Sequence, residues 1–240
     1  NIELKPKYTL VNSKKEFEII LRKIHKYGFC AIDTETNSLN IENATLVGIS
    51  LCCEVNNSYY IPLNHISVES EKKITDQLDQ DFVLKKINLI CSNPSILKIG
   101  QNIKFDIRIL NKYGVFFNSI ADTMLISYSI DNGIFKHNLD DLSFTHLNYT
   151  TIKYKDVVGT GKNEITFDKV PIKDAVNYAA EDSLLTLKLF FKLYPRLIKE
   201  RANFVYQNID LPLISVLSQI EENGIEVNKN FLTSLSNDFE

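Results

Sequence analysis

Two carboxylates, Asp33 and Glu35, flank Thr34 where the apolar run Phe29 to Ile32 stops. Side chains two apart on a strand share a face, so both acids can point to one side of a sheet. Like charges that close destabilise a strand, and an isolated Asp-x-Glu reads more simply as an exposed strand end. A third carboxylate, Asp106, ends the segment Gly100-Gln101-Asn102-Ile103-Lys104-Phe105-Asp106, where a strand passes into a helix with Ile103, Ile107 and Leu110 on its apolar face. Alone it is a helix-surface aspartate. Tyr178 and Asp182 stand four apart in Tyr178-Ala179-Ala180-Glu181-Asp182, hence on one helical face, with small Ala179 and Ala180 leaving room beside them. Carboxylates are hard oxygen donors of the kind that suits magnesium or manganese.

The elements that must position these residues follow from periodicity and punctuation. Ser13-Lys14-Lys15-Glu16 has capping-box form, and Phe17, Ile20, Leu21 and Ile24 follow at helical spacing, so a helix runs to Tyr27 and Gly28 ends it. Phe29 to Ile32 reads as a strand, and Leu46 to Glu54 and Tyr59 to Pro62 as its two antiparallel neighbours, joined by the turn Asn56-Asn57-Ser58. Thr75 to Ile90 is helical, Ile96 to Ile99 a strand, and Ile103 to Tyr113 a helix ended by Gly114. Helical spacing then dominates: Met124 to Ile130, Leu139 to Leu147, and Ile172 to Ile198 after Pro171, with a polar loop from Tyr149 to Asp168. Strands first and helices later indicate an α/β (α+β) domain with a mixed sheet flanked by helices.

At these residues the chain resembles the exonuclease domain of family A, polymerase I-like DNA polymerases. Asp33 to Leu39, Gly100 to Asp106, and Tyr178 to Asp182 are similar, in order and spacing, to the three motifs of the four-carboxylate nucleases in the subclass with tyrosine. Asp122-Thr123-Met124-Leu125 and the stretch from Gly159-Thr160-Gly161-Lys162-Asn163 through Thr166 to Phe167 match as well. The resemblance implies a ribonuclease H-like fold over residues 1–203. Residues 204–240, with Asp210-Leu211-Pro212-Leu213 and Val216 to Ile225, resemble the helical start of the polymerase domain. The Lys and Asn bias makes the chain most similar, within that family, to plastid (apicoplast) members from malaria parasites, which implies a plastid location.

The resemblance further implies a proofreading 3′-5′ exonuclease acting on the single-stranded or frayed 3′ end of DNA and releasing a nucleotide monophosphate, beside a polymerase domain of the same chain. Its cofactors would be two divalent ions, Mg2+ or Mn2+, held by Asp33, Glu35, Asp106 and Asp182, with Tyr178 orienting the attacking water. Thr36, Leu39, Gln101, Asn102, Phe105, Lys136 and Phe167 would contact the strand, Leu39 and Phe167 as wedges against the terminal bases. Core packing is the plain alternative for Leu39 and Phe167, and turn bonds for the two amides. Phe105 stands where the family often has Tyr, and Lys136 where Arg is common, so Lys136 meets a phosphate without a bidentate fork.

Composition narrows the rest. With 44% hydrophobic and 24% charged residues, the chain is an ordinary globular sequence able to bury a core. A net charge of -3 excludes binding of nucleic acid by bulk positive charge, so any contact is local. Cys30, Cys52, Cys53 and Cys91 lack CxxC spacing and read as buried free thiols; none of His65, His137 and His146 is needed for catalysis, and His137, beside Lys136, reads as a surface or capping histidine with a DNA-facing one as the alternative. No apolar run is long enough to cross a bilayer, and Asn1 to Tyr8 has no signal-peptide architecture, so the chain reads as soluble with an internal start. Gly159-Thr160-Gly161-Lys162 is no phosphate loop, because Asp156 and Asn163 occupy the positions that need Gly and Ser or Thr. Two rival functions stand beside the DNA reading: a ribonuclease D-like RNA exonuclease, and an inactive scaffold of the same fold. The polymerase-like tail argues against the first and the four acids against the second.

Overall fold

A computed structural model of the chain describes residues 6–134 and 136–239. Most of the first eight residues, read as an internal start, lie outside that range. In chain order the elements are β1 (Lys7–Leu10), α1 (Lys14–Tyr27), β2 (Phe29–Thr36), β3 (Leu46–Glu54), β4 (Asn57–Pro62), α2 (Gln80–Cys91), β5 (Leu97–Gly100), α3 (Lys104–Asn111), β6 (Ile120–Asp122), α4 (Thr123–Asp131), α5 (Leu139–Leu147), α6 (Tyr154–Val158), α7 (Ile172–Lys199), α8 (Asn203–Val205), a π-helical turn (Tyr206–Asp210), α9 (Leu211–Asn223) and α10 (Lys229–Asp238).

The strands form one mixed sheet in the order β1-β4-β3-β2-β5-β6. β2 pairs antiparallel with β3 and parallel with β5, and β4 lies beyond β3. Only one of the two expected antiparallel neighbours therefore touches β2. The short turn returns the chain beside β3, and the open edge of β2 is filled by β5 after the α2 crossover. β2 also runs four residues further than its apolar run, through Asp33 to Thr36, because pairing with β3 continues to Leu46. Backbone pairing thus holds both acids inside a strand.

Side chains alternate across this sheet and create two layers. Cys30, Ile32, Leu51 and Cys53 enter a core with Phe17, Ile20 and Ile24 of α1, Val83 and Ile87 of α2, and Ile109 and Leu110 of α3. Ala31, Cys52 and Ile99 face the opposite core, formed by Ile126, Leu142 and the Leu184, Leu187 and Leu193 stripe of α7. Each buried Leu, Ile, Val or Phe among them contributes about 1.5 to 3 kcal/mol. α1 is capped as its sequence predicts: Ser13 accepts from the Glu16 N–H, and Gly28, at φ 74°, donates to Ile24.

The loop expected from Tyr149 to Asp168 contains α6 and two 3-10 turns, Gly161–Asn163 and Phe167–Lys169. Packing continues past residue 203, since Tyr206 and Ile214 are buried. All four cysteines are buried free thiols. Among the described residues, no helix is long and apolar enough to cross a membrane.

Candidate active site

Odd-numbered residues of β2 point to the α7 side of the sheet, as Ala31 does. Asp33 and Glu35 therefore face the helix that carries Asp182. The ligand oxygens of Asp33, Glu35 and Asp182 lie within 4.8 Å of one another. α7 can come this close because its sheet-facing positions are small: Ala175, Ala179, Ala180 and Ser183 are all buried.

Asp106 reaches the same strand from the other layer. Pairing between β2 and β5 ends at Ala31 and Ile99, which leaves the Thr34 N–H without a ladder partner on that side. Asp106 Oδ1 accepts from that N–H at 2.8 Å and from the Thr34 hydroxyl at 2.6 Å. Thr34, between the two acids, was not singled out from the sequence; its position inside the Asp-x-Glu segment was the available signal.

Burial pushes all four carboxyls well above the usual carboxylate range, and their neighbours' charges add to it: Asp182 at Asp33, Asp33 at Glu35 and at Asp106, Glu181 at Asp182. The Thr34 bonds oppose this at Asp106, and the Tyr178 hydroxyl at Asp182. Glu35 Oε1 is buried without a hydrogen-bond partner. An orphaned carboxylate oxygen among three further acids fits a hard divalent cation, which would supply the missing partner and the missing charge. Asp33, Glu35 and Asp182 are the residues placed to hold one, with Asp106 beside Asp33.

The Tyr178 hydroxyl is raised far above its ordinary value by burial and by Asp182, Glu35 and Asp33, so it stays protonated. Its ring is held by Tyr154, edge-on at 6.0 Å, and by Phe167 at 5.9 Å. Phe167 corrects an expectation. It has no exposed surface, sits between Tyr154, Tyr178 and His65, and cannot reach a base from there. It opens the 3-10 turn Phe167–Lys169, and its ring packs against those of Tyr154 and Tyr178. Tyr154 was missed within the supposed loop. It stacks over Phe167 at 6.4 Å and 11° and is 45% exposed, so it presents the free aromatic face next to Tyr178. An aromatic opening a helical turn closed by Gly159 was its signal in the sequence.

The remaining expected contacts are dispersed. Leu39 projects from the loop after β2, 89% exposed. Thr36 is buried and donates to the Ser38 carbonyl, holding that loop. Both ends of the Gln101 amide are engaged, donating to the His137 carbonyl and accepting from the Thr123 hydroxyl. Asn102 is exposed at φ 57°. Phe105 is half-buried against the α1 and α2 core, and Lys136 is exposed. Of the histidines, His65 bridges the Tyr60 hydroxyl and the Val170 carbonyl, and His137 pairs with the Ser127 hydroxyl. Glu181, next to Asp182 yet buried, accepts from the Tyr149 hydroxyl and the Ile152 N–H, both at 2.6 Å, and so fixes the segment leading into α6.

A mixed sheet flanked by helices, with Asp33, Glu35 and Asp182 brought together and Asp106 bonded to Thr34 where a strand pair opens, has the ribonuclease H-like fold. The family model described as 3′-5′ exonuclease matches residues 8–198, and the chain belongs to that family, the exonuclease domain of DNA polymerase I and its relatives. It is 39% identical over 222 residues to DNA polymerase I of Rhizobium leguminosarum, covering 87% of this chain and 22% of that protein. With DNA polymerase I of Pseudomonas aeruginosa it shares 35% over 236 residues, 96% of this chain and 25% of the relative. The chain thus spans about a quarter of the length of these curated relatives. Both are bacterial, and they give the plastid placement no support. Among solved structures, it superposes on a polymerase-domain complex of Pol1 from M. smegmatis with DNA primer-template and dNTP, TM-score 0.70 at 16% identity, covering 96% of this chain and 35% of that one. RNase D of Escherichia coli gives 0.65 at 16%, covering 89% and 51%. At such identity these two likenesses concern the fold.

Proposed function

We propose that the chain is a metal-dependent 3′-5′ exonuclease domain that removes nucleotides from single-stranded or frayed DNA 3′ ends, next to a polymerase domain of which residues 204–240 are the start. The observation that carries this is the convergence of Asp33, Glu35 and Asp182 within 4.8 Å, with Glu35 Oε1 left unpartnered. Bound there, divalent cations would lower the pKa of an attacking water and offset charge on the phosphoryl oxygens. Tyr178, protonated, donates a hydrogen bond and positions what lies beside Asp182. Tyr154 and Leu39 offer exposed apolar faces, and stacking on an aromatic contributes about 1 to 3 kcal/mol per base without reading sequence. Lys136 adds one local positive charge. Retention of all four acids speaks against an inactive scaffold.

The test is digestion of a 5′-labelled single-stranded DNA beside a 5′-labelled RNA, in Mg2+, in Mn2+ and with chelator. Stepwise shortening of DNA that chelator abolishes is expected. Exclusive digestion of RNA would transfer the assignment to the ribonuclease D-like reading, and no digestion of either would end both.

A further inference from the structure

The segment that delivers Asp106 to Thr34 is poorly supported by its own residues. Asn102 lies in the left-handed region at φ 57°, and Ile103, in the cap position before α3, makes no side-chain cap bond. A helix start without a cap leaves N–H groups to be satisfied from elsewhere. Asp122, at the end of β6 and 1% exposed, satisfies the two N–H groups just ahead of Lys104. Its Oδ2 accepts from the Ile103 N–H at 2.9 Å, and its Oδ1 from the Asn102 N–H at 3.1 Å. The same Oδ1 caps α4, accepting from Met124 at 2.8 Å and Leu125 at 3.3 Å. One carboxylate therefore ties together the starts of two helices. Thr123 adds bonds to the Gly100 carbonyl and to Gln101. The Asp122 N–H in turn donates to the Tyr206 hydroxyl at 3.0 Å, so its backbone is braced by a fully buried side chain beyond α7.

We propose that Asp122 is a positioning residue of the nuclease site: it fixes the Gly100 to Asp106 segment, and so sets where the Asp106 carboxylate stands relative to Asp33. The inference rests on the exonuclease reading above. Asp122→Asn is the informative variant. Its remaining carbonyl oxygen can still cap α4 and accept from the Asn102 N–H, whereas its NH2 faces the Ile103 N–H, donor against donor, so the loop loses one of its two bonds and is pushed away while the fold is largely kept. Asp122→Ala removes every acceptor.

The experiment uses the 240-residue chain on 5′-labelled single-stranded DNA, well below each variant's Tm, with Mg2+ titrated. Asp79→Ala, which removes the cap that accepts from Phe82 at the start of α2, serves as the control for cap loss remote from the site. Expected are a fall in kcat of roughly ten- to a hundredfold for Asp122→Asn, and more for Asp122→Ala, with a several-fold rise in the half-saturating Mg2+ concentration. Tyr206→Phe should lose about two- to fivefold, and Asp79→Ala should lower Tm with kcat unchanged. Wild-type kcat and Mg2+ dependence in folded Asp122→Asn would overturn the proposal, as would losses matching only the unfolded fraction. An inactive wild type would instead refute the exonuclease reading itself.

Discussion

At Asp33, Glu35, Asp106 and Asp182 the fold holds acids together against both desolvation and mutual repulsion. Their folded-state pKa values lie above those of the unfolded chain, so without metal these groups favour the folded state at low pH and oppose it as pH rises. Replacing Asp33 and Glu35 by Asn and Gln removes that opposition along with the cation donors. Hydrolysis should fall by several orders of magnitude, while Tm at pH 7 in chelator rises; each 1 kcal/mol gained corresponds to about 2 to 4 °C. Added Mg2+ or Mn2+ should raise the Tm of the wild type and leave that of the double variant unmoved. Thermal melts with and without metal decide it, and a metal-induced shift that persists in the variant would place the cation elsewhere.

His65 carries the opposite sign. Burial lowers its pKa from 6.5 to about 4. Between those values the unfolded chain binds a proton that the folded chain refuses, so its contribution is complete above pH 6.5 and is lost as pH falls, at no more than about 1.4 kcal/mol per pH unit. Urea midpoints measured from pH 7 to 4.5 should show a shallower acid slope in His65→Gln than in wild type. Equal slopes would remove His65 from the acid response.

Among the elements, α6 and the turn at Phe167 form a pair with divided roles: Phe167 lies in the core and Tyr154 lies over it. Phe167→Ala should therefore cost about 3 to 5 kcal/mol of stability, as truncation of a core aromatic does. Tyr154→Ala removes a partly exposed ring, so it should weaken single-strand binding by about 1 to 3 kcal/mol with a much smaller loss of Tm. Denaturation and fluorescence binding curves on both variants separate the two. Weakened binding in folded Phe167→Ala with none in Tyr154→Ala would reverse the assignment. β2 shows a related division: its even positions serve one core, its odd positions the other, and the site begins where its β5 partner ends.

For the whole molecule, Asp33 and Asp182 are half-buried and Glu35 and Asp106 buried; on the exonuclease proposal a 3′ end would have to be single-stranded to reach them, and unpairing costs least at a mismatch. Primers with matched, mismatched and unpaired 3′ ends should be shortened at increasing rates. Equal rates on all three would mean that access to the acids does not select the substrate. Polar bonds fasten the chain's tail to this body, Tyr206 to Asp122, Asp210 to Ser129, and Glu221 to both Lys104 and Arg108, the last two flanking Asp106 on α3.

The amino-acid order by itself determined the local and periodic features: the capped α1, the span of α5 from Leu139 to Leu147, the long α7 that spaces Tyr178 and Asp182 by one turn, and the three acidic segments. Those depend on contacts within a few residues, which the chain carries in its own pattern. The resemblance had already grouped the four acids, but tertiary structure decided how they meet, since Asp33 and Asp182 are brought together by the alternation of β2 and the small-residue face of α7. It also decided that Lys98 is fully buried, with Nζ donating to the Asn93 and Ile96 carbonyls, although lysine is by type a surface residue. Phe167 and Tyr154, similar in chemistry and thirteen positions apart, could not be told apart as support and surface from the chain alone. Exposure is a property of what packs against a residue, and that is set by segments distant in sequence.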